Sequence, residues 1–457
     1  MSLAECDRYL EEREQEHLEA IQEFLRIPSV SALPEHQGDV RRAAEWLADY
    51  LRRIGVPQVE LLPTERNPVV FGAWHVDDAQ PTAMIYGHYD VQPPDPLDLW
   101  ISPPFEPQVR EDKLYARGAS DDKGNVMVAL QGVEALVRTQ GRPPINLKFF
   151  FEGEEEIGSP SLPAFMPNHR EKLACDFIIS ADGGQPSLDQ PGVTLTAKGI
   201  AACQVNVRTA DTDLHSGMFG AAVPNAAQVT AHLAASFHTP DGRVAVEGFY
   251  DRVRELSEEE RAELAAAQAS AGPYWEEVGA PALWGEPGYS PGERVAARPT
   301  LDINGIWSGF QGEGVKTVTP AEGHFKITCR LVADQDPEEI LTLIERHVEK
   351  HCPPWATATV ERFPGSARPF GIRRDHPALK TAMEVLEQIF GKPPVIARQG
   401  GTIPVAEIFQ RELGADMVFF AFGTPDGNVH APNESMRLES MRRGRRAYCA
   451  YLTALAK

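Results

Sequence analysis

At 457 residues the chain exceeds one ordinary core and predicts two domains, while 42% hydrophobic and 24% charged residues exclude a disordered, collagen-like or fibrous chain. A formal net charge of -22 with no compensating basic patch excludes nucleic acid and anionic membrane surfaces as expected partners. Six cysteines (Cys6, Cys175, Cys203, Cys329, Cys352, Cys449) without a CxxC pair argue against a disulfide framework or a cysteine zinc site, and the N-terminus is acidic and amphipathic with no membrane-length apolar run downstream, so the expected location is cytoplasmic.

Along the chain, Leu10, Leu18, Ile21, Phe24 and Leu25 keep a helical spacing that predicts one opening helix from about Leu3 to Arg26, stopped by Pro28. A second helix is predicted from an Asp39 N-cap to Gly55. Short apolar runs then alternate with helices: PVVFGAW, TAMIYGH, a helix over Val126 to Val137, INLKFFFEG and CDFIISADG. That order predicts an α/β domain with a mostly parallel sheet, whose ligands bind beyond the carboxyl ends of the strands.

From about Val193 the period becomes two. Cys203, Val205 and Val207 alternate with polar neighbours, as do Phe325, Ile327, Cys329 and Leu331, predicting half-buried antiparallel strands. Helices are expected near Pro224, as a first-turn proline, and over Glu255 to Ala269. Gly272 to Thr300, with Trp275 and Trp284 on no clear period, reads as a long packed loop. After Pro369 the α/β pattern resumes, with DMVFFAFG as a late strand and Glu439 to Ala456 as the last helix. The expected division is 1–192 and 371–457 for the α/β domain, and 193–370 for an inserted α+β domain.

Chemistry-bearing residues gather at the predicted strand ends. His88 and Asp90 of GHYDVQP stand two apart on one side of an extended chain, where a carboxylate can orient a metal-bound imidazole. The same HxD spacing at His75 to Asp77 runs into a turn and is a decoy. Gly118 and Gly124 permit an irregular backbone around Asp121-Asp122, a pair that suits either a metal or a helix N-terminus. Glu152, Glu154, Glu155 and Glu156 follow LKFFF as a crowded acidic run, which either holds a cation or is a solvated loop. Asp182 ends another run, and His430 lies in the returning segment; each histidine alone could equally be a satisfied core residue. Two histidines and three carboxylates on one rim form a donor set for a pair of divalent ions sharing a bridge.

In chain order, GHYDVQP, RGASDDKG, EGEEEIGS, ISADGG, DLHSGMFG, KTVTP, ITCRLV and GGTIPV resemble the zinc-dependent family of aminoacylases, carboxypeptidase G-type enzymes and carnosine dipeptidases. The resemblance runs from about residue 20 to the C-terminus and is strongest to the cytosolic nonspecific dipeptidase branch. It implies that His88 and Asp182 bind one ion, Glu156 and His430 the other, and Asp121 both, with a cis peptide bond after Asp121. It further implies Glu155 as the general base for a bridging water and Asp90 as the support of His88. Two divalent ions are implied, zinc first, with manganese or cobalt also suited.

The inserted domain resembles the family's lid and dimerisation domain, which implies a homodimer with His215 reaching the partner's site. Arg330 resembles the residue that holds a substrate carboxylate, and Thr317 and Thr402 resemble lesser substrate contacts. Strand alternation puts Arg330 on a polar face, which suits this role or that of a plain surface arginine. Gln399 stands where related dipeptidases usually carry glutamate, so the charge near the substrate differs. The implied activity is hydrolysis of dipeptides or similar small amides. The alternatives are an N-acyl-amino-acid deacylase or carboxypeptidase on the same site, and a non-catalytic dimeric binding protein. No GxSxG motif or positioned cysteine supports a covalent mechanism.

Overall fold

Residues 3–271 and 278–456 are described in the computed structural model. They divide into one unit of 1–195, 372–397 and 408–457 and another of 196–371 and 398–407. The first unit opens with two helices rather than one, α1 (Leu3–Glu12) and α2 (Glu14–Leu25). The break at Arg13 follows from exposed Glu11, Glu12 and Arg13, which have no core packing to hold the axis straight. Helix α3 (Gln37–Ile54) begins two residues before the expected cap. Asp39 therefore sits in its first turn, 2.8 Å from His36 Nδ1 and 2.6 Å from Arg42, instead of capping it. Gly55 closes α3 in the left-handed conformation (φ 107°), where a side chain would be strained.

Next come β1 (Gln58–Leu62), β2 (Val69–Trp74), β3 (Thr82–His88), α4 (Lys123–Gln140), β4 (Asn146–Glu152), α5 (Leu162–Leu173) and β5 (Phe177–Ser180). Ala83 to Tyr86 and Phe149 to Phe151 are buried throughout, as expected of strands covered on both faces.

The second unit carries β6 (Gly199–Arg208), α6 (Ala226–Ser236), α7 (Glu258–Ala271), α8 (Pro291–Ala297), β7 (Thr300–Ser308), β8 (Glu322–Leu331), α9 (Pro337–His351) and β9 (Thr357–Arg362). Its four-stranded sheet is antiparallel, in the order β7-β8-β6-β9. Cys203, Val205 and Val207 from β6 and Phe325, Ile327 and Cys329 from β8 face one core with Val229 and Leu233 of α6 and Ile340, Ile344 and Val348 of α9. Helix α6 is capped by Asn225, whose Oδ1 accepts from Ala227 N at 2.9 Å, so Pro224 lies just outside the helix rather than in its first turn. The expected loop over 272–300 is helical at its end. Ser290 and Glu293 form a capping box for α8, an S-x-x-E signal present in the sequence. Trp284 is exposed beside His238, and Trp275 lies outside the described residues.

The chain re-enters the first unit with α10 (Pro377–Phe390), β10 (Asp416–Phe419) and α11 (Leu438–Leu455). The six-stranded sheet has the order β1-β2-β4-β3-β5-β10. The strands β4, β3, β5 and β10 are parallel, and β2 and β1 continue antiparallel at one edge. Between β3 and α4 the chain makes an irregular turn with Gly118 at φ 83° and a cis Asp121-Asp122 bond. A Cβ on Gly124 would lie 1.8 Å from the Ala119 carbonyl oxygen, so only glycine lets this turn close onto α4. Gly124→Ala is expected to cost about 3 kcal/mol in chemical denaturation, a typical price of overpacking a closed site; unchanged stability would mean that the turn yields freely.

Candidate active site

Register sets the rim. His88 pairs with Glu152 and Tyr86 with Ser180 across the parallel strands, so β3 and β4 end level, and β5 ends two residues short, with Asp182 continuing to the level of His88. His88 is the last residue of β3, Asp182 lies two residues past β5, and Glu155 and Glu156 form a 3-10 turn beyond β4. Asp121 comes from the turn before α4, and His430 from the loop after β10, in a left-handed conformation (φ 61°).

These five segments meet at Asp121. Its Oδ1 is 3.0 Å from His88 Nε2, and its Oδ2 is 2.8 Å from His430 Nε2. His430 Nε2 is also 3.2 Å from Glu156 Oε2. One ligand atom each from His88, Asp121 and Asp182 lie within 4.8 Å of one another, and the same is true of Asp121, Glu156 and His430. Asp121 thus belongs to both groups. Glu156 Oε1 is buried without a hydrogen-bond partner, so a further acceptor is available there. Nitrogen and carboxylate donors at this spacing fit divalent cations.

By themselves the groups redistribute protons. Burial and then the Asp121 charge push Asp182 up to about 6. Burial holds Glu155 well above the ordinary carboxylate range. Burial would also raise Asp121, but hydrogen bonds from His430 and His88 outweigh it and hold it low. Hydrogen bonds to Asp121 and Glu156 push His430 up to about 10, and bonds to Asp121 and Asp90 raise His88 against the cost of its burial.

A layer of partners fixes the donors. Asp90 has an oxygen 3.4 Å from His88 Nδ1, and its two oxygens also accept from Glu155 N at 3.3 Å and Glu156 N at 3.1 Å. It therefore orients the imidazole and the acidic turn at once. Glu154 is buried and accepts from Asn67 N, Thr64 Oγ1, Ser161 N and Ser161 Oγ at 2.9 to 3.2 Å. Glu152 is buried against Tyr86 Oη at 3.0 Å, and burial with the Asp90 charge pushes it up to about 8. The run is thus no solvated loop: two glutamates secure it and two face the cluster. Asp122 occupies the N-cap position of α4 but caps nothing with its side chain, accepting instead from His88 N at 3.2 Å.

Two participants escape the sequence reading. Gln92 Nε2 donates to Glu156 Oε2 at 2.8 Å, and its place in GHYDVQP was the available signal. Glu434 is the other, buried beneath the Asp121 turn; it ends the GNVHAPNE segment that carries His430. The decoy His75 is exposed and paired with Asp78 at 3.1 Å, in neither donor group.

The remaining candidates form two pairs in the second unit. Arg330, half-buried on β8, donates from Nη1 to Thr402 Oγ1 at 2.7 Å. His215 is exposed, its Nδ1 accepting from Gly217 N at 3.1 Å. It lies on the short strand Leu214–His215, which pairs with Val318–Thr319, and Ser216 N donates to the Thr317 carbonyl at 3.2 Å.

Peptidase family M20/M25/M40 matches residues 84–454. The chain belongs to this family. It is a metallopeptidase. Over its whole length it is 28% identical to a Cys-Gly metallodipeptidase of Schizosaccharomyces pombe, covering 99% of that protein. It is 27% identical to the human Beta-Ala-His dipeptidase, with 98% of this chain and 92% of that protein aligned. An M20-family metallo-carboxypeptidase from Sulfolobus solfataricus superposes with a TM-score of 0.82 at 30% identity over 97% of this chain and 99% of that one. Human carnosine dipeptidase 1 superposes with 0.76 at 26% identity, covering 99% and 98%. Among the described residues, no helix is long and apolar enough to cross a membrane.

A cation entering this cluster would have to displace the proton held by His430, which its hydrogen bonds to Asp121 and Glu156 push up to about 10 and so keep bound at pH 8. Adding zinc or cobalt to metal-free protein at pH 8 in weak buffer is therefore expected to release at least one proton per chain, read on a pH-stat. His430→Ala should release fewer, and no release from the parent protein would contradict the assigned protonation.

Proposed function

We propose that the protein hydrolyses dipeptides and similar small amides bearing a free C-terminal carboxylate, using two divalent ions, zinc first and manganese or cobalt as alternatives. His88, Asp121 and Asp182 would hold one ion, and Asp121, Glu156 and His430 the other. The observation that carries this reading is the single carboxylate of Asp121, with one oxygen toward each histidine. The relatives act on Cys-Gly and β-Ala-His by name, which supports a dipeptide substrate.

Bound divalent ions supply a water acidic enough to ionise near neutral pH and a Lewis acid for the scissile carbonyl. Glu155 takes the proton of the attacking water and delivers it to the leaving amine. Its position supports this role, because it belongs to neither donor group yet stands in the field of His88, Asp182, Glu156 and Asp121. Asp90 keeps His88 oriented and fixes the Glu155 backbone. Arg330 holds the substrate carboxylate with Thr402 at its side, and Thr317 lies beside His215, which steadies the developing oxyanion.

His215 acts across a homodimer in this reading. Support comes from the exposed apolar side chains Met218, Phe219, Phe310 and Val315 in the segments near it, and from exposed Ile306 on β7, the outer strand of its sheet. The six cysteines are free thiols, which supports a reducing, cytoplasmic setting. A second reading keeps the site and changes the amide to that of a carboxypeptidase or N-acyl-amino-acid deacylase substrate; the likeness to the Sulfolobus metallo-carboxypeptidase favours its carboxypeptidase form.

Glu155→Gln is expected to keep both ions by elemental analysis and to lose about 10²- to 10⁴-fold in kcat, the usual worth of a general base; near-parental turnover would remove Glu155 from that role. Arg330→Ala should raise KM for free dipeptides while barely changing it for their C-terminal amides. An equal effect on both would place the carboxylate elsewhere. Assayed on dipeptides, C-terminally extended peptides and N-acyl amino acids, the parent enzyme should prefer the first. Mixing His215→Ala with Glu155→Gln subunits should regain activity that neither has alone, and none regained would mean a site complete within one chain.

A further inference from the structure

Beneath the donor cluster lies a carboxylate that touches no proposed ion. Glu434 is fully buried, and both of its oxygens are saturated by one stretch of chain. Its Oε2 accepts from Arg117 Nη1 at 2.7 Å and Gly118 N at 2.9 Å; its Oε1 accepts from Ser120 N at 2.9 Å and Asp121 N at 3.0 Å. Its own carbonyl accepts from Ala116 N at 3.1 Å. Arg117 is buried as well, and its other terminal nitrogen donates to the Pro93 carbonyl at 3.2 Å. Four donors converging on one ionised carboxylate form charge-assisted bonds, stronger than neutral ones and costly to break where water cannot replace them.

On its own side Glu434 ends a loop that is held open by three residues in the left-handed conformation, Asn428, His430 and Asn433 (φ 51°, 61° and 62°). Asn433 anchors the same loop to Leu99 O at 2.8 Å and Ile101 N at 2.9 Å. One side chain thus joins the loop that carries His430 to the turn that carries Asp121, and those two residues are 2.8 Å apart.

Resting on the dinuclear reading above, we infer that Glu434 is a positioning residue that sets the affinity of both ions together. It holds the backbone of Asp121 in register with the His430 loop. Asp121 belongs to both donor groups, so releasing its backbone moves one carboxylate oxygen out of each. A carboxamide cannot replace the carboxylate. Glutamine offers one acceptor oxygen and an NH2 group, and that NH2 would face N–H donors on one side of the turn.

Cobalt(II) titrations of metal-free parent, Glu434→Gln and Glu434→Asp, read by calorimetry and by visible absorption, test this alongside thermal unfolding of each metal-free protein. The parent should bind two ions. Glu434→Gln should weaken both by about 10- to 100-fold in parallel, the usual effect of losing an outer partner of a metal ligand, with a changed cobalt spectrum. Glu434→Asp keeps the charge but withdraws it by one methylene; it should weaken both in the same ratio and serves if the glutamine variant does not fold. Parental affinities with only a lowered melting temperature would reduce Glu434 to a structural role and overturn the inference, as would weakening of one ion alone. A parent that binds fewer than two ions would overturn the dinuclear reading and this inference with it.

Discussion

Asp121 stands between two imidazoles, with Asp182, Glu155 and Glu156 crowded around it. Carboxylates this close in a buried setting repel one another, and desolvation penalises each charge further. The raised Asp182 and Glu155 and the strongly basic His430 record that conflict in the side chains themselves. In the dinuclear reading proposed above, divalent cations would resolve it, because they would replace shared protons with charges that all the donors can face at once. The rest of the first unit can be understood as the apparatus that holds these groups in place despite their repulsion.

That apparatus begins with the sheet. Parallel strands in register deliver His88, the acidic turn and Asp182 to one edge, beyond the carboxyl ends where ligands bind in open sheets of this kind. Around them lies a layer of carboxylates with structural duties. Asp90 joins His88 to the Glu155-Glu156 turn, Glu154 fastens that turn to Asn67 and Ser161, and Glu434 secures the turn before α4. Each accepts several backbone N–H bonds, which keeps a buried negative charge tolerable and transmits position to the donor above it. The second unit solves a different problem. Its antiparallel sheet buries one face and leaves the polar alternation free, so Arg330 can combine a rigid strand with an available guanidinium beside Thr402.

Local sequence determined much of this. Apolar runs with periods of two and 3.6 placed the strands from β2 to β5 and the alternation in β6 and β8, because burial on one face or on both leaves a repeating mark in the residues themselves. Strand ends and glycine-punctuated turns marked His88, Asp121, Asp182, His430 and the run from Glu152 to Glu156 as candidates, and only the family resemblance singled out Glu156 within that run. Where local signals competed, the reading slipped. The Asp39 cap lost to an earlier 3-10 turn, the opening helix broke at exposed charges, and the capping box of α8 was hidden in a proline-rich stretch.

What only the tertiary structure decided is the division of labour among like residues. In Glu152 to Glu156 the sequence shows four identical side chains, and nothing local says that Glu154 faces Asn67 and Ser161 while Glu156 faces His430. Asp122 reads as a helix cap until the fold brings the His88 backbone to it. Glu434 and Arg117 are 317 positions apart, and their meeting depends on the chain returning from the second unit to the same sheet. Periodicity encodes which side of its own element a residue faces. Which residue of another element waits there is set by long-range packing, and that is where the roles of chemically identical side chains diverge.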